Sequence, residues 1–362
     1  MHKKVFFSFF LVSFVFVLQA VADETAPPVI DENTPLEVLL PLAEGGNAAA
    51  QCFLARRYSY GNDVEQNKEL AFQWYSKSAE QDYAPAQNSL GVHYEYGWGV
   101  DASKSEAILW YRKAAEQGNV HAQNNLGRCY AHGIGIKQDN ELAFQWYSKS
   151  AAQGHEPAQT CLGFHYYHGL GVDKNDQEAV KWFLKAAEQG SAVAQSNLGI
   201  CYRNGFGVER NAQEAFRWSL EAAEQGQTIA QYNLGVSYEL GNGVNRVPSE
   251  AVKWYRKSAE QGYIPAQYAL GSAYFYGFGV AKDMNEARKW LQKAAEQGHA
   301  EAQSELQLVD NYDPIAVLGG TVIAGVYVLV IMVLLWSFER MYHRKNRAGS
   351  LNTTTEPTHP NQ

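Results

Sequence analysis

A strict internal period constrains this chain more than any other feature. An Ala-Gln pair ends at Gln51, Gln87, Gln123, Gln159, Gln195, Gln231, Gln267 and Gln303, and a tryptophan stands at Trp74, Trp110, Trp146, Trp182, Trp218, Trp254 and Trp290, every step being 36 residues. Seven full copies fill residues 47–298. A period of this size is the mark of a solenoid. Each copy is one supersecondary unit that cannot bury its own apolar face, so copies must stack. The length of 362 residues would allow two domains, but the period predicts one array.

The copy Ser191 to Gly226 shows the local grammar. A first helix is predicted from about Ala194 to Asn204, with Leu198 and Tyr202 on one stripe. Gly205-Phe206-Gly207 ends it, because glycine accepts the positive φ that terminates helices. A second helix follows from about Ala212 to Gln225, with Ala215, Trp218, Ala222 and Ala223 on its buried side. The ladder tryptophans, Trp182 among them, are expected to be buried between helices. Pro85, Pro157 and Pro265 fall in the first turn of helix one, where proline is tolerated. Gly91, Gly127, Gly163, Gly199, Gly235 and Gly271 lie mid-helix at a cost of about 1 kcal/mol against alanine. Such glycines imply close approach between helices.

The run A-x-A-Q-x-x-L-G-x-x-Y-x-x-G-x-G-V, followed by E-A-x-x-W-x-x-x-A-A-E-Q-G, resembles the Sel-one-like repeat, a relative of the tetratricopeptide repeat. The resemblance implies an all-α fold, an α/α superhelical solenoid of helix-turn-helix repeats serving as a protein-binding adaptor. Members act in signalling, protein quality control or the cell envelope. It carries no general catalytic residues and no cofactor. The terminal copies depart from the pattern, with Ala55 and Asp63 replacing two glycines in the first and Gln307 replacing one at the end. Atypical end repeats are expected as caps. Residues 35–46 read as an N-terminal capping helix bent or shortened by Pro41, and residues 299–309 as a C-terminal half-repeat.

The ends carry targeting signals. Residues 1–22 read as a signal peptide: Lys3 and Lys4, an apolar Val5 to Leu18, and the small-x-small site Ala20-Val21-Ala22. Residues 23–34 are an acidic lead expected to be disordered. Ile315 to Phe338 holds no charge over 24 residues, enough for one transmembrane helix. Arg340, Arg344, Lys345 and Arg347 follow it, which places residues 339–362 in the cytoplasm and the repeats outside it. Gly320/Ala324 and Thr321/Gly325 have the small-xxx-small spacing that allows two spans to form a homodimer. The extracytoplasmic part has no N-x-S/T sequon, which favours a bacterial periplasm over an endoplasmic reticulum lumen.

Composition narrows the function. A net charge of −8 and no basic stripe along the repeats argue against nucleic-acid binding. Four cysteines (Cys52, Cys129, Cys161, Cys201) enter an oxidising compartment, but their positions in the repeat hold them too far apart for a disulfide, which needs Cα atoms within about 7 Å. They are expected to be free packing residues. His93, Cys129, His165 and Cys201 share one repeat position, and a column stepping a helix diameter per residue cannot converge on one ion. The G-x-G segments follow helices and lack a dinucleotide fingerprint. With no nucleophile elbow, no H-E-x-x-H and no plausible carboxylate pair, the chain reads as a non-enzyme.

Positions that vary between copies separate binding from scaffold. On helix one these fall one, five and eight residues after the ladder glutamine and share a face. Their occupants include Asn88, Glu95, Arg128, Phe164, Tyr167, Arg203, Tyr232, Glu239, Tyr268 and Phe275, the candidate partner-binding residues. Tyr232, Tyr268 and Phe275 gather aromatic rings toward the span, which points to a membrane-protein partner. Two function classes compete: a membrane-anchored extracytoplasmic adaptor, and a regulatory or inhibitory module for an envelope enzyme or sensor. In a eukaryotic setting the adaptor would serve quality control in the endoplasmic reticulum.

Overall fold

A computed structural model describes residues 30–311. The expected signal peptide, most of the acidic lead, the expected span at residues 315–338 and the basic tail lie outside the described residues. Among those described, no helix is long and apolar enough to cross a membrane, no strand occurs, and the helices number sixteen. They are α1 (Leu36–Glu44), α2 (Ala48–Tyr60), α3 (Lys68–Ala79), α4 (Ala84–Tyr96), α5 (Lys104–Glu116), α6 (Val120–His132), α7 (Asn140–Ala152), α8 (Glu156–His168), α9 (Asp176–Glu188), α10 (Ala192–Asn204), α11 (Ala212–Glu224), α12 (Thr228–Leu240), α13 (Pro248–Glu260), α14 (Ile264–Tyr276), α15 (Met284–Glu296) and α16 (Ala300–Asp310). They form two compact units that divide between Val247 and Pro248. The first holds α1 to α12 and the second α13 to α16, and each is a run of antiparallel helix pairs.

Local chemistry sets the boundaries. Helix two is capped at its N-terminus by Asn67, Ser103, Asp139, Asn175, Asn211 or Asp283, whose side-chain oxygen accepts a backbone N–H of the first turn. Helix one is capped the same way by Asn47, Asn119, Ser191 or Gln227. Where Pro85, Pro157 and Pro265 occupy the first turn, the capping residue is Tyr83, His155 or Tyr263 and makes no such bond. Proline fixes φ there instead. The capping helix α1 runs through Pro41 and buries Leu39 and Ala43 against α2. At the far end α16 extends one residue beyond the expected half-repeat, to Asp310.

Helix one buries its leucine completely, as at Leu54, Leu90, Leu126, Leu162, Leu198 and Leu234 in the first unit and Leu270 in the second. On helix two the buried stripe falls at i, i+1, i+4, i+7 and i+8, as in Ala179, Val180, Phe183, Ala186 and Ala187 of α9. The large core ring is therefore the residue after the tryptophan: Tyr75, Tyr111, Tyr147 and Phe183, and Tyr255 in the second unit. The mid-helix glycine exists for that ring. A Cβ on Gly163 would lie 2.6 Å from Phe183 Cδ1, and one on Gly91 2.6 Å from Tyr111 Cδ1.

This corrects the expected place of the tryptophans. Trp182 sits at i+3, on the margin of the stripe, and is only half-buried. Lys185 lies over its indole at 4.0 Å from the ring centroid, and Lys77, Lys113 and Lys149 cover Trp74, Trp110 and Trp146 in the same way. The exceptions obey the same volume rule. Where Ser219 or Leu291 replaces the core ring, the adjacent Trp218 or Trp290 turns inward, leaving 6% and 4% exposed.

The loop after helix one carries a second glycine that touches the preceding repeat: a Cβ on Gly207 would stand 2.1 Å from the Asp176 carbonyl oxygen that opens α9. In the first copy Asp63 fills that position with φ 57°, a conformation aspartate tolerates better than most residues. The His93, Cys129, His165, Cys201 column is buried packing. His93 Nδ1 donates to the Trp98 carbonyl at 2.6 Å and His165 Nδ1 to that of Leu170 at 2.7 Å, each tying the helix to its own loop. All four cysteines are free.

Candidate interaction surface

The ladder glutamines are committed to the scaffold. Gln159 Nε2 donates to the Ala151 carbonyl at the end of α7, one of the carbonyls a helix C-terminus leaves unpaired. Its Oε1 accepts from Gln189 Nε2 at 2.7 Å. The motif recurs at Gln87 with Ala79 and Gln117, and in the second unit at Gln267 with Ala259 and Gln297. A glutamine supplies donor and acceptor on one arm, so one side chain caps the helix before it and joins the helix after it.

The variable face is divided between ties and open surface. Glu95 on α4 has 6% of its side chain exposed, accepts the Tyr111 hydroxyl at 2.7 Å, and takes both oxygens of its carboxylate to Arg128 Nη2 at 2.7 and 2.6 Å. Burial, then the charge of Glu95, pushes the Tyr111 hydroxyl far up. Asn88 Oδ1 accepts from Asn125, and Arg203 Nη1 donates to Asn233 Oδ1 at 2.9 Å. Asn88, Glu95, Arg128 and Arg203 thus join neighbouring repeats. In the second unit Tyr268 stacks on His299 with ring centroids 4.6 Å apart, and Phe275 meets Tyr276 edge-on at 4.8 Å. Tyr232 and Glu239 on α12 are half-buried.

The open part centres on Phe164, 46% exposed on α8. On one side lies a groove of about 310 Å³ lined by His132, Tyr147, Thr160, Cys161, Val193 and Asn197 among others. On the other is a groove of about 190 Å³ lined by Tyr167, His168, Phe183, Asn197, Ile200 and Cys201. Phe164 and Asn197 border both. The walls are largely apolar and aromatic, with the amides of Gln138, Asn140 and Asn197 among them, as a peptide-sized contact requires. Burial raises the Cys161 thiol and pushes Cys201 up to about 11, so neither offers thiolate at neutral pH. Among the described residues no three His, Cys, Asp or Glu are placed to hold a metal ion.

The repeat model named Sel1 repeat matches residues 48–83, 84–119, 120–155, 157–191, 192–227, 228–263 and 264–299. The chain belongs to the Sel1 repeat family. Two solved Sel1-type structures are similar to it. One is a protective antigen of uropathogenic Escherichia coli strains displaying an SLR fold, with 39% identity and TM-score 0.69, covering 77% of this chain and 60% of that one. The other is a Sel1 repeat protein from Oxalobacter formigenes, with 33% identity and TM-score 0.62, covering 75% and 80%. The present chain thus spans 60% of the Escherichia coli structure it matches. Comparison with curated proteins gives no match. Proteins of the Sel1 type are generally protein-interaction scaffolds.

Two further features of this Sel1 array lie outside the variable positions of helix one. The residue nine after the ladder glutamine is exposed and often a ring: Tyr60, Tyr96, His132, His168 and Tyr276. His132 and His168 flank the grooves, and Phe164 and His168 have ring centroids 4.2 Å apart. Near the start of the first unit Tyr96 stacks on Trp98 at 5.3 Å, and Lys68 Nζ lies 4.6 Å from the Trp98 ring. The column reads Tyr, Tyr, His, His, Asn, Leu, Tyr at steps of 36, one residue past the last variable position.

Proposed function

We propose that this Sel1 chain is a non-enzymatic, membrane-anchored scaffold whose extracytoplasmic repeats bind another protein through the Phe164 groove. One observation carries the reading. The ladder glutamines and Asn88, Glu95, Arg128 and Arg203 are tied inside the array, while Phe164, Tyr167 and His168 border open, largely apolar grooves. Exposed rings gathered about a concave site are what protein interfaces use as anchors.

The anchor rests on the uncharged Ile315 to Phe338 and the basic residues after it, which favour repeats outside and tail inside. The missing sequons and the bacterial origin of both similar structures favour a periplasm. A homodimer through the small-xxx-small pairs of the span is compatible with this arrangement. Affinity purification of the tagged full chain from solubilised membranes is the test. One protein should co-purify with the native chain and be lost with Phe164→Ser and Tyr167→Ser together; full retention refutes the groove. Protease added outside the inner membrane should digest the repeats and spare a tag after Gln362, and the reverse would overturn the topology. If deleting the chain releases an enzyme's activity and leaves assemblies intact, the regulatory reading replaces the adaptor.

A further inference from the structure

The second unit holds a buried carboxylate whose bonding is incomplete. Glu305 on α16 is 6% exposed. Its Oε2 accepts the Ser272 hydroxyl of α14 at 2.5 Å, while its buried Oε1 has no hydrogen-bond partner among the described residues. A buried carboxylate oxygen with no donor at hydrogen-bonding distance is costly and calls for a partner. Among the described residues no cation lies within ion-pairing distance of it. Arg288 is tied to Asp310 and His299 to Glu301.

The same chain shows what completes such a group. The Glu95 carboxylate is also withdrawn from solvent, with 6% of its side chain exposed, and it takes one hydroxyl, from Tyr111, and one guanidinium, from Arg128. At Glu305 a hydroxyl is present, from Ser272, and no guanidinium stands beside it among the described residues. The surroundings suit one. Tyr268 is held in place by stacking on His299, and Tyr276 is 60% exposed. Burial first, then the Glu305 charge and hydrogen bonding to it, raises both tyrosine hydroxyls. A planar, weakly hydrated guanidinium pairs with carboxylate and lies on aromatic faces better than a compact ammonium does.

We propose that Glu305, Ser272, Tyr268 and Tyr276 form a subsite that accepts an arginine side chain of a bound protein. The inference deepens the scaffold reading and rests on it only for the source of the arginine. The test uses the full chain in detergent with three small probes: Nα-acetyl-arginine amide, its lysine counterpart, and its uncharged citrulline counterpart. Titration followed by saturation-transfer NMR should show the arginine amide binding at least tenfold more tightly than the citrulline amide, with lysine between. Glu305→Gln should erase that difference while leaving the melting midpoint unchanged or raised. Tyr276→Ala, at an exposed ring that cannot unfold the unit, should weaken the arginine probe at least threefold. Equal affinity for arginine and citrulline, or discrimination that survives Glu305→Gln, overturns the proposal. Deleting residues 340–362 should leave the affinity unchanged; a tenfold gain would mean that the chain's own basic tail fills the site, which also overturns it. Probe binding with no protein co-purifying would sink the scaffold reading alone, and protein capture without arginine preference would sink the subsite alone.

Discussion

Removing Arg128 should destabilise the first unit far more than removing an ordinary surface arginine. Its guanidinium donates to both oxygens of Glu95, whose side chain is 6% exposed, and Tyr111 is the other donor to that carboxylate. Arg128→Ala leaves Glu95 buried with the Tyr111 hydroxyl alone. Breaking a fully buried pair costs about 3–5 kcal/mol. Arg128 keeps 29% of its side chain in solvent, so water can enter and about 2–3 kcal/mol is the better expectation. Substituting both partners, as Glu95→Leu with Arg128→Leu, removes the stranded charge and should recover most of the loss, because the penalty comes from desolvation and not from missing attraction. The assay is urea unfolding of the full chain in detergent, followed at 222 nm. A loss below about 0.5 kcal/mol for Arg128→Ala, in the range of a surface pair, would show that Glu95 is solvated. A double variant as unstable as the single one would refute the desolvation argument.

Gly163→Ala should destabilise by about 1–3 kcal/mol through overpacking against Phe183, although the same change in a free helix gains about 1 kcal/mol; a rise in melting midpoint would contradict the close approach. Trp218→Ala, at a buried indole, should cost about 3–5 kcal/mol, and Trp182→Ala, half-buried under Lys185, less than half of that; equal losses would count against the volume exchange between the tryptophan and its neighbour. Burial lowers His93 and His165 below their usual value near 6.5. The unfolded chain therefore takes up protons first on acidification. Their contribution is complete above pH 6.5 and falls as pH drops below it, by up to about 1.4 kcal/mol per pH unit for each histidine. His93→Cys with His165→Cys, copying Cys129 and Cys201, should flatten that slope between pH 6.5 and 5, and an unchanged slope would place the titration elsewhere.

Much of the scaffold was legible because a repeat displays its rules several times over. The Ala-Gln ladder, the Gly-x-Gly breaks and the half-repeats at each end gave helices within a residue or two of those observed. Which ring fills the core was not legible. Trp182 never varies in type along the ladder, so it looks like the packing residue, whereas Phe183 belongs to a series that runs Tyr, Tyr, Tyr, Phe, Ser, Tyr, Leu. The structure shows the two positions exchanging volume, and only a spatial partner, Gly163, reveals which one points inward. The variable face was identified as a face, but its division was hidden. Arg128 and Glu95 are 33 residues apart and meet only because consecutive first helices lie side by side. The exposed column at His132 and His168 was missed for a simpler reason: at the last residue of a helix, periodicity no longer says which way a side chain points.

The central claim is that the Phe164 groove holds a protein. It is tested most directly by placing a photo-crosslinking amino acid at position 164 of the full chain in living cells, with a second chain carrying it at Leu109, which is also about half exposed but lies on helix two, away from the grooves. The account predicts one discrete protein adduct from position 164, absent from position 109 and suppressed by Tyr167→Ser. No adduct at 164, or the same adducts from both positions, would contradict it.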